Sequence, residues 1–256
     1  MIQFSGVYKS FGDNEVLKGI DLDLPASKIS VILGPSGEGK SVLLKHMIGL
    51  IRPDKGRVIV DGTDLSKLDD KALTAFRKNF GMLFQNAALF DSFNVEDNIA
   101  FPLREHTDLS EKEIAERVRQ KLDLVGLKGA VSKMPSELSG GMRKRVGLAR
   151  AIALEPRIIL YDEPTTGLDP LMTDTINRLI VDTHHALAGT AGDTQKKSLS
   201  VTTVVISHDI EATFQVADFV AMIHDGVIIE SGAPSVFEKS RHPFVRKFLD
   251  RHGDDA

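Results

Sequence analysis

Gly34-Pro35-Ser36-Gly37-Glu38-Gly39-Lys40-Ser41 has the composition of a loop that holds phosphate. Its glycines let the backbone curl until several N–H groups converge on one point, and the positive end of a following helix adds to the field there. Lys40 would neutralise the β and γ oxygens of a nucleotide, and the Ser41 hydroxyl would hold Mg²⁺. An ordinary glycine-rich turn is the plainer alternative. The apolar run before the loop and the helical stretch after it favour phosphate.

Two further groups of residues supply the chemistry that a bound nucleotide would need. Ile158-Ile159-Leu160-Tyr161-Asp162 reads as a buried strand ending in a carboxylate. Asp162 can face Mg²⁺ across such a loop, usually through water. Glu163 follows directly and can reach a water in line with the γ-phosphate as general base. Alone, an acidic pair after a strand is more often a helix cap; beside a phosphate loop the catalytic reading is stronger. Ser139, with the amides of Gly140 and Gly141 at a helix start, makes a second anion site. One chain has use for two such sites only if a partner's nucleotide fills one of them.

The elements that must position these groups follow from periodicity. Ile20, Leu22 and Leu24 alternate with Asp21 and Asp23, as in a strand with one wet face. With Ile2–Val7 they predict a small antiparallel sheet. Ile29–Leu33 is an almost unbroken apolar run, the mark of a parallel strand covered on both faces, and a helix is expected over Lys40–Leu50. Further buried strands read at Phe80–Phe84, Ile158–Tyr161 and Val201–Ile206, with helical segments between. The expected fold is therefore α/β, a mostly parallel sheet core with a small antiparallel β subdomain. A helical lobe is expected at about 94–153, where Ser110 and Glu113 fit a capping box and Ile114, Val118, Leu122 and Val125 follow at helical spacing. Asp225-Gly226 signals a late hairpin. The polar, aperiodic stretch at about 188–199 is expected as a mobile surface insertion.

Composition narrows the class. With 256 residues, the chain suits one domain, 1–256. Its net charge of −4 gives no reason to expect nucleic acid, and its lack of cysteine excludes disulfides and cysteine zinc sites. Met1-Ile2-Gln3-Phe4-Ser5 shows no basic start leading into an apolar stretch, so no signal peptide is expected. No uncharged apolar run approaches the ~20 residues of a membrane helix.

Leu138-Ser139-Gly140-Gly141-Met142, in order with the loop and the acidic pair, resembles the signature motif of the ABC transporter ATPases, where the last residue is usually glutamine. The resemblance covers roughly Ile2 to Leu249 and implies a P-loop NTPase fold of ABC ATPase type that hydrolyses ATP with Mg²⁺. It also implies a head-to-tail dimer in which each signature closes over the other copy's nucleotide. Carried over residue by residue, it makes Phe11 the aromatic that stacks on adenine, with Val16 nearby and Tyr8 as a rival. Gln85 matches the glutamine that touches Mg²⁺ and the attacking water, and His208 the histidine at the γ-phosphate. Asp169, in Thr166-Gly167-Leu168-Asp169, matches the loop that crosses the dimer interface. The implied ligands of Mg²⁺ are Ser41, Gln85 and Asp162. The other histidines, His184 and His185 among them, read as ordinary surface or packing residues.

Two stretches narrow the subgroup: Leu83–Phe90 running on through Asn94–Thr107, and Met134–Met142 followed by Ala149–Ala153. Both are similar to ATPases of the Mla/Mce class, which power movement of phospholipid or other lipid across the cell envelope. That resemblance implies permease subunits as partners, an MCE-domain lipid-binding protein, a small STAS-domain subunit in some systems, and no nucleic acid. It implies a peripheral place at the cytoplasmic face of a bacterial inner membrane. The rival within transport is an importer ATPase for polar solutes such as amino acids. Soluble ABC proteins of DNA repair or translation usually carry tandem domains, a zinc insertion or a coiled-coil arm, none visible here. A small-molecule kinase or GTPase would lack Ser139-Gly140-Gly141.

Overall fold

Alternating residues make Ile2–Phe11 (β1) and Asn14–Leu24 (β2) an antiparallel pair, with Ile2 facing Leu24 and Phe11 facing Asn14 across the turn. Ile2, Phe4, Val7, Leu17, Ile20, Leu22 and Leu24 are buried while most intervening residues face solvent. The computed structural model describes residues 1–189 and 201–250, which fall into two units, Met1–Arg77 with the chain from Thr202 on, and Lys78–Val201.

In the first unit, Ile29–Leu33 (β3) is buried at every position, as its unbroken apolar run requires. Lys40–Met47 (α1) follows the phosphate loop. It is shorter than the expected Lys40–Leu50, because Ile48 leaves helical geometry and Gly49 takes φ 64. Lys55–Val60 (β4) and Thr63–Asp64 (β5) complete an antiparallel sheet in the order β2-β1-β4-β5, and Asp70–Arg77 (α2) follows.

The second unit opens with Phe80–Leu83 (β6), followed by the helices Val95–His106 (α3), Glu111–Leu124 (α4) and Gly140–Ala151 (α5). The capping box forms at α4: Ser110 Oγ accepts from the Glu113 amide, and the Glu113 carboxylate accepts from the Ser110 amide. Ile114, Val118, Leu122 and Val125 are all buried. Arg104 spans Asp97 and Glu111 at 2.8 Å each, tying α3 to α4. Ile158–Asp162 (β7) pairs in parallel with β6, and Pro170–Ala188 (α6) ends the unit's described helices. The expected polar insertion lies, from residue 190, outside the described residues.

The chain returns to the first unit as Thr202–Ser207 (β8), Ile210–Val216 (α7), Phe219–His224 (β9), Val227–Gly232 (β10), Pro234–Glu238 (α8) and Pro243–Asp250 (α9). β3 lies between β8 and β9, parallel to both. β9 and β10 form the hairpin that Asp225-Gly226 predicts, with φ 50 and 77 at those two residues. Leu33, Ile210, Val220, Met222, Phe237 and Val245 make a common core beneath this sheet.

Candidate nucleotide site

The phosphate loop runs from the end of β3 into α1, all within the first unit. Gly39, with φ 94, caps α1. A Cβ there would stand 2.9 Å from Val16 Cγ1 and 3.0 Å from Leu17 Cδ2, so only glycine fits where the loop rests on β2. Val16, an expected neighbour of the base, is thereby packed against the loop. Lys40 is buried, and its Nζ donates to the carbonyls of Gly34 (2.6 Å) and Pro35 (2.7 Å). The ammonium therefore lies within the curl of the loop. Ser36 and Gly37 face solvent, and Ser41 is half-buried in the first turn of α1.

Glu38 has a second role that its place in the motif does not reveal. Its carboxylate accepts from the Asp225 amide (2.6 Å) and meets His224 Nδ1 at 3.1 Å, pinning the loop to the β9–β10 turn. His224 in turn stacks on Phe244 of α9, ring centroids 3.5 Å apart. Read singly, His224 carries no signal in the sequence; the tie spans 186 positions.

Phe11 stands at the tip of β1, 50% exposed, with Lys9 Nζ 5.5 Å from its ring. Tyr8, its rival, lies against Gly19 of β2 with Lys55 over its ring. Of the two aromatics, Phe11 is the one with a freer face. His208 follows β8 and is exposed, and Asp209 beside it caps α7 by accepting from Ala212 N.

In the second unit, Asp162 ends β7 half-buried, and Glu163 follows with φ 44. A non-glycine residue in the left-handed region costs about 1–3 kcal/mol and tends to mark functional sites. Thr166 Oγ1 donates to Glu163 Oε2 at 3.0 Å, and the Thr166 amide donates to the Glu163 carbonyl. Gln85 is exposed just beyond β6. Ser139 caps α5, its Oγ accepting from Met142 N at 3.3 Å, so the Gly140 and Gly141 amides sit at the helix's positive end. Asp169 caps α6 by accepting from Met172 N at 3.0 Å. Thus Gly34–Ser41, Phe11, Val16 and His208 share the first unit, and Gln85, Ser139–Gly141, Asp162, Glu163 and Asp169 share the second.

Nothing in the sequence marks Lys144 as a site residue. Arg143-Lys144-Arg145 reads as a solvated basic run, yet Lys144 is buried and donates to the Thr166 carbonyl at 2.7 Å. Burial pushes its pKa down, and the Glu163 carboxylate pulls it partly back up.

A phosphate loop at the end of a parallel strand, an acidic pair closing another, and a Ser-Gly-Gly helix start define a nucleotide-hydrolysing cassette. Residues 17–166 match the ABC transporter family, and the chain belongs to it, as an ATP-hydrolysing subunit. It is 45% identical over 249 residues to the "Probable ribonucleotide transport ATP-binding protein mkl" of Mycobacterium leprae, covering 97% of this chain and 68% of that protein. It is 42% identical over 243 residues to the intermembrane phospholipid transport system ATP-binding protein MlaF of Escherichia coli K12, covering 95% and 86%. The dimeric structure of the bacterial ABC transporter cassette MJ0796 superposes with a TM-score of 0.79 at 28% identity, over 91% of this chain and 99% of that one. CbiO1 of Clostridium perfringens, part of the complex CbiONQ, gives 0.80 at 27%, over 97% and 98%. Among the described residues no helix is long and apolar enough to cross a membrane.

Proposed function

We propose that two copies of this chain close head to tail over two ATP molecules and drive a permease that moves phospholipid or a related lipid across a bacterial envelope. Gly34–Ser41 holds the phosphates of one ATP, and Phe11 and Val16 receive its adenine. Ser139, Gly140 and Gly141 of the second copy engage the γ-phosphate, and Asp169 lies at the same interface. Glu163 takes a proton from the attacking water, Gln85 orients that water, and His208 donates to the γ-phosphate. ADP and phosphate leave. Ser41, Gln85 and Asp162 offer hydroxyl, amide and carboxylate oxygens, a hard donor set that suits Mg²⁺. Bound there, the ion would neutralise charge on the phosphates.

The observation that carries the lipid assignment is the likeness to MlaF along 86% of that protein's length. It is supported by an aromatic surface at the segment that resembles the permease-facing part of such ATPases. Phe90 (42% exposed), Phe101 (37% exposed) and Phe93 pack ring to ring, with centroids 5.1–6.1 Å apart. An apolar patch of this kind suits docking. The partners on this reading are permease subunits, an MCE-domain protein and a small STAS-domain subunit, with the ATPase held peripherally at the cytoplasmic face. A polar-solute importer is the second reading, favoured by the ribonucleotide transport named for the mycobacterial relative. Deleting the gene separates them. The lipid reading expects altered phospholipid distribution between membranes and detergent sensitivity; unchanged lipids with lost uptake of a nucleotide or amino acid would replace it by the second.

A further inference from the structure

Lys144 lies on α5, the helix that Ser139 caps, and only 6% of it is exposed. A buried ammonium is expensive to keep unless it is hydrogen-bonded and compensated, and an apolar side chain would fill the same space at less cost. Its described hydrogen bond goes to one place, the Thr166 carbonyl at 2.7 Å. Thr166 in turn makes two bonds to Glu163, from its hydroxyl to Oε2 at 3.0 Å and from its amide to the carbonyl at 3.3 Å. Glu163 stands on a left-handed backbone, φ 44, which persists only where its surroundings over-determine it. Met172, in the first turn of α6, lies against Gly141, and Leu168 of the 163–169 loop lies 3.8 Å from where a Cβ on Gly140 would stand, so the start of α5 meets both.

We infer that Lys144 is a positioning residue: through Thr166 it sets the carboxylate of Glu163 and ties that setting to the helix bearing Ser139. The side chain touches neither ATP nor the attacking water. Its ammonium holds the Thr166 peptide, and the Thr166 hydroxyl holds one oxygen of the Glu163 carboxylate. Engagement of Ser139 by a partner's nucleotide then bears on the same helix that holds the base in place. This inference rests on the reading of Glu163 as the base.

Steady-state hydrolysis by the intact protein tests it with four variants. Lys144→Met removes the ammonium and keeps the stem; a hydrogen bond to a charged group is lost, so kcat should fall roughly tenfold or more. KM for ATP should stay within about twofold, because ground-state binding is untouched. Lys144→Arg keeps a charged donor and should recover most of the loss. Thr166→Val removes the hydroxyl while leaving the carbonyl for Lys144, and should show the same kcat-specific defect even if Lys144→Met folds poorly. Combining Thr166→Val with Lys144→Met should cost no more than the worse single change. Wild-type kcat in Lys144→Met or in Thr166→Val, a loss carried by KM, or fully additive losses would overturn the inference. Glu163→Gln separates the two readings. If that variant still turns over, Glu163 is not the base; if it is inactive while Lys144→Met runs at full rate, only the role of Lys144 falls.

Discussion

Asn98→Ala should cost the second unit about 3 kcal/mol, because one buried amide holds the whole turn that presents Phe90 and Phe93. Asn98 is fully buried on α3. Its Oδ1 accepts from the Phe90 amide at 2.8 Å, and its Nδ2 lies 3.0–3.1 Å from the carbonyls of Phe90, Phe93 and Asn94. Nδ2 has only two hydrogens, so three contacts count as roughly two bonds, and the side chain makes about three in all. At ~1 kcal/mol net per bond the sum is about 3 kcal/mol, and water reaching the loosened turn keeps it from rising much higher. For a chain of this size that corresponds to a fall in Tm of roughly 6–12 °C. Asn98→Asp keeps an acceptor for Phe90 N but turns a buried carboxylate oxygen on the three carbonyls, and near neutral pH should be at least as destabilising as Asn98→Ala. Thermal unfolding with urea titration gives the loss, and hydrogen exchange at the Phe90 amide gives its location. A Tm within about 2 °C of wild type, or unchanged protection at that amide, would refute the view that this side chain organises the turn.

Phe90→Asp places a charge in the aromatic cluster at its most exposed member, so the isolated subunit should still bind ATP while its co-purification with permease partners drops about tenfold or more; undiminished co-purification would remove this surface from the interface. His46 is buried on α1, and burial lowers its pKa from the usual 6.5, outweighing the hydrogen bond to the Val42 carbonyl that raises it. Its neutral form is therefore favoured in the folded state. The stability it contributes is present above about pH 6.5 and is lost as pH falls through and below that value. Urea midpoints at pH 8 and 5.5 should converge for His46→Gln relative to wild type; an identical pH dependence in the two proteins would show that another group titrates.

Much of this was legible in the sequence because the signals were local. The unbroken run Ile29–Leu33 needed only its own residues to read as a covered parallel strand, and β3 is buried throughout. Ser110 and Glu113 lie three positions apart and cap α4 as that spacing predicts. Asp225-Gly226 has the turn chemistry of the hairpin it makes. The end of α1 is not visible in the pattern, because apolar Ile48 and Leu50 prolong the helical spacing past the point where Gly49 turns the chain. What could not be read were ties between distant residues. Glu38 meets His224 across 186 positions, and Lys144 is buried against Thr166 although its neighbours Arg143 and Arg145 make it look like part of a wetted face. Those contacts exist only once the strands and helices have been brought together, so no spacing rule could announce them.

On the proposed function, Gly34–Ser41 of one copy and Ser139–Gly141 of another form one ATP site. The natural chain contains no cysteine, which permits a clean cross-linking test. Ser36 and Ser139 both face solvent. In a Glu163→Gln background, which should bind ATP without turning it over, Ser36→Cys and Ser139→Cys are introduced together and treated with a short bismaleimide. With ATP and Mg²⁺ a covalent dimer should appear on a denaturing gel, absent without nucleotide and absent when either cysteine is omitted. A cross-link that leaves the chain at monomer mass, or a dimer that forms equally without ATP, would contradict it.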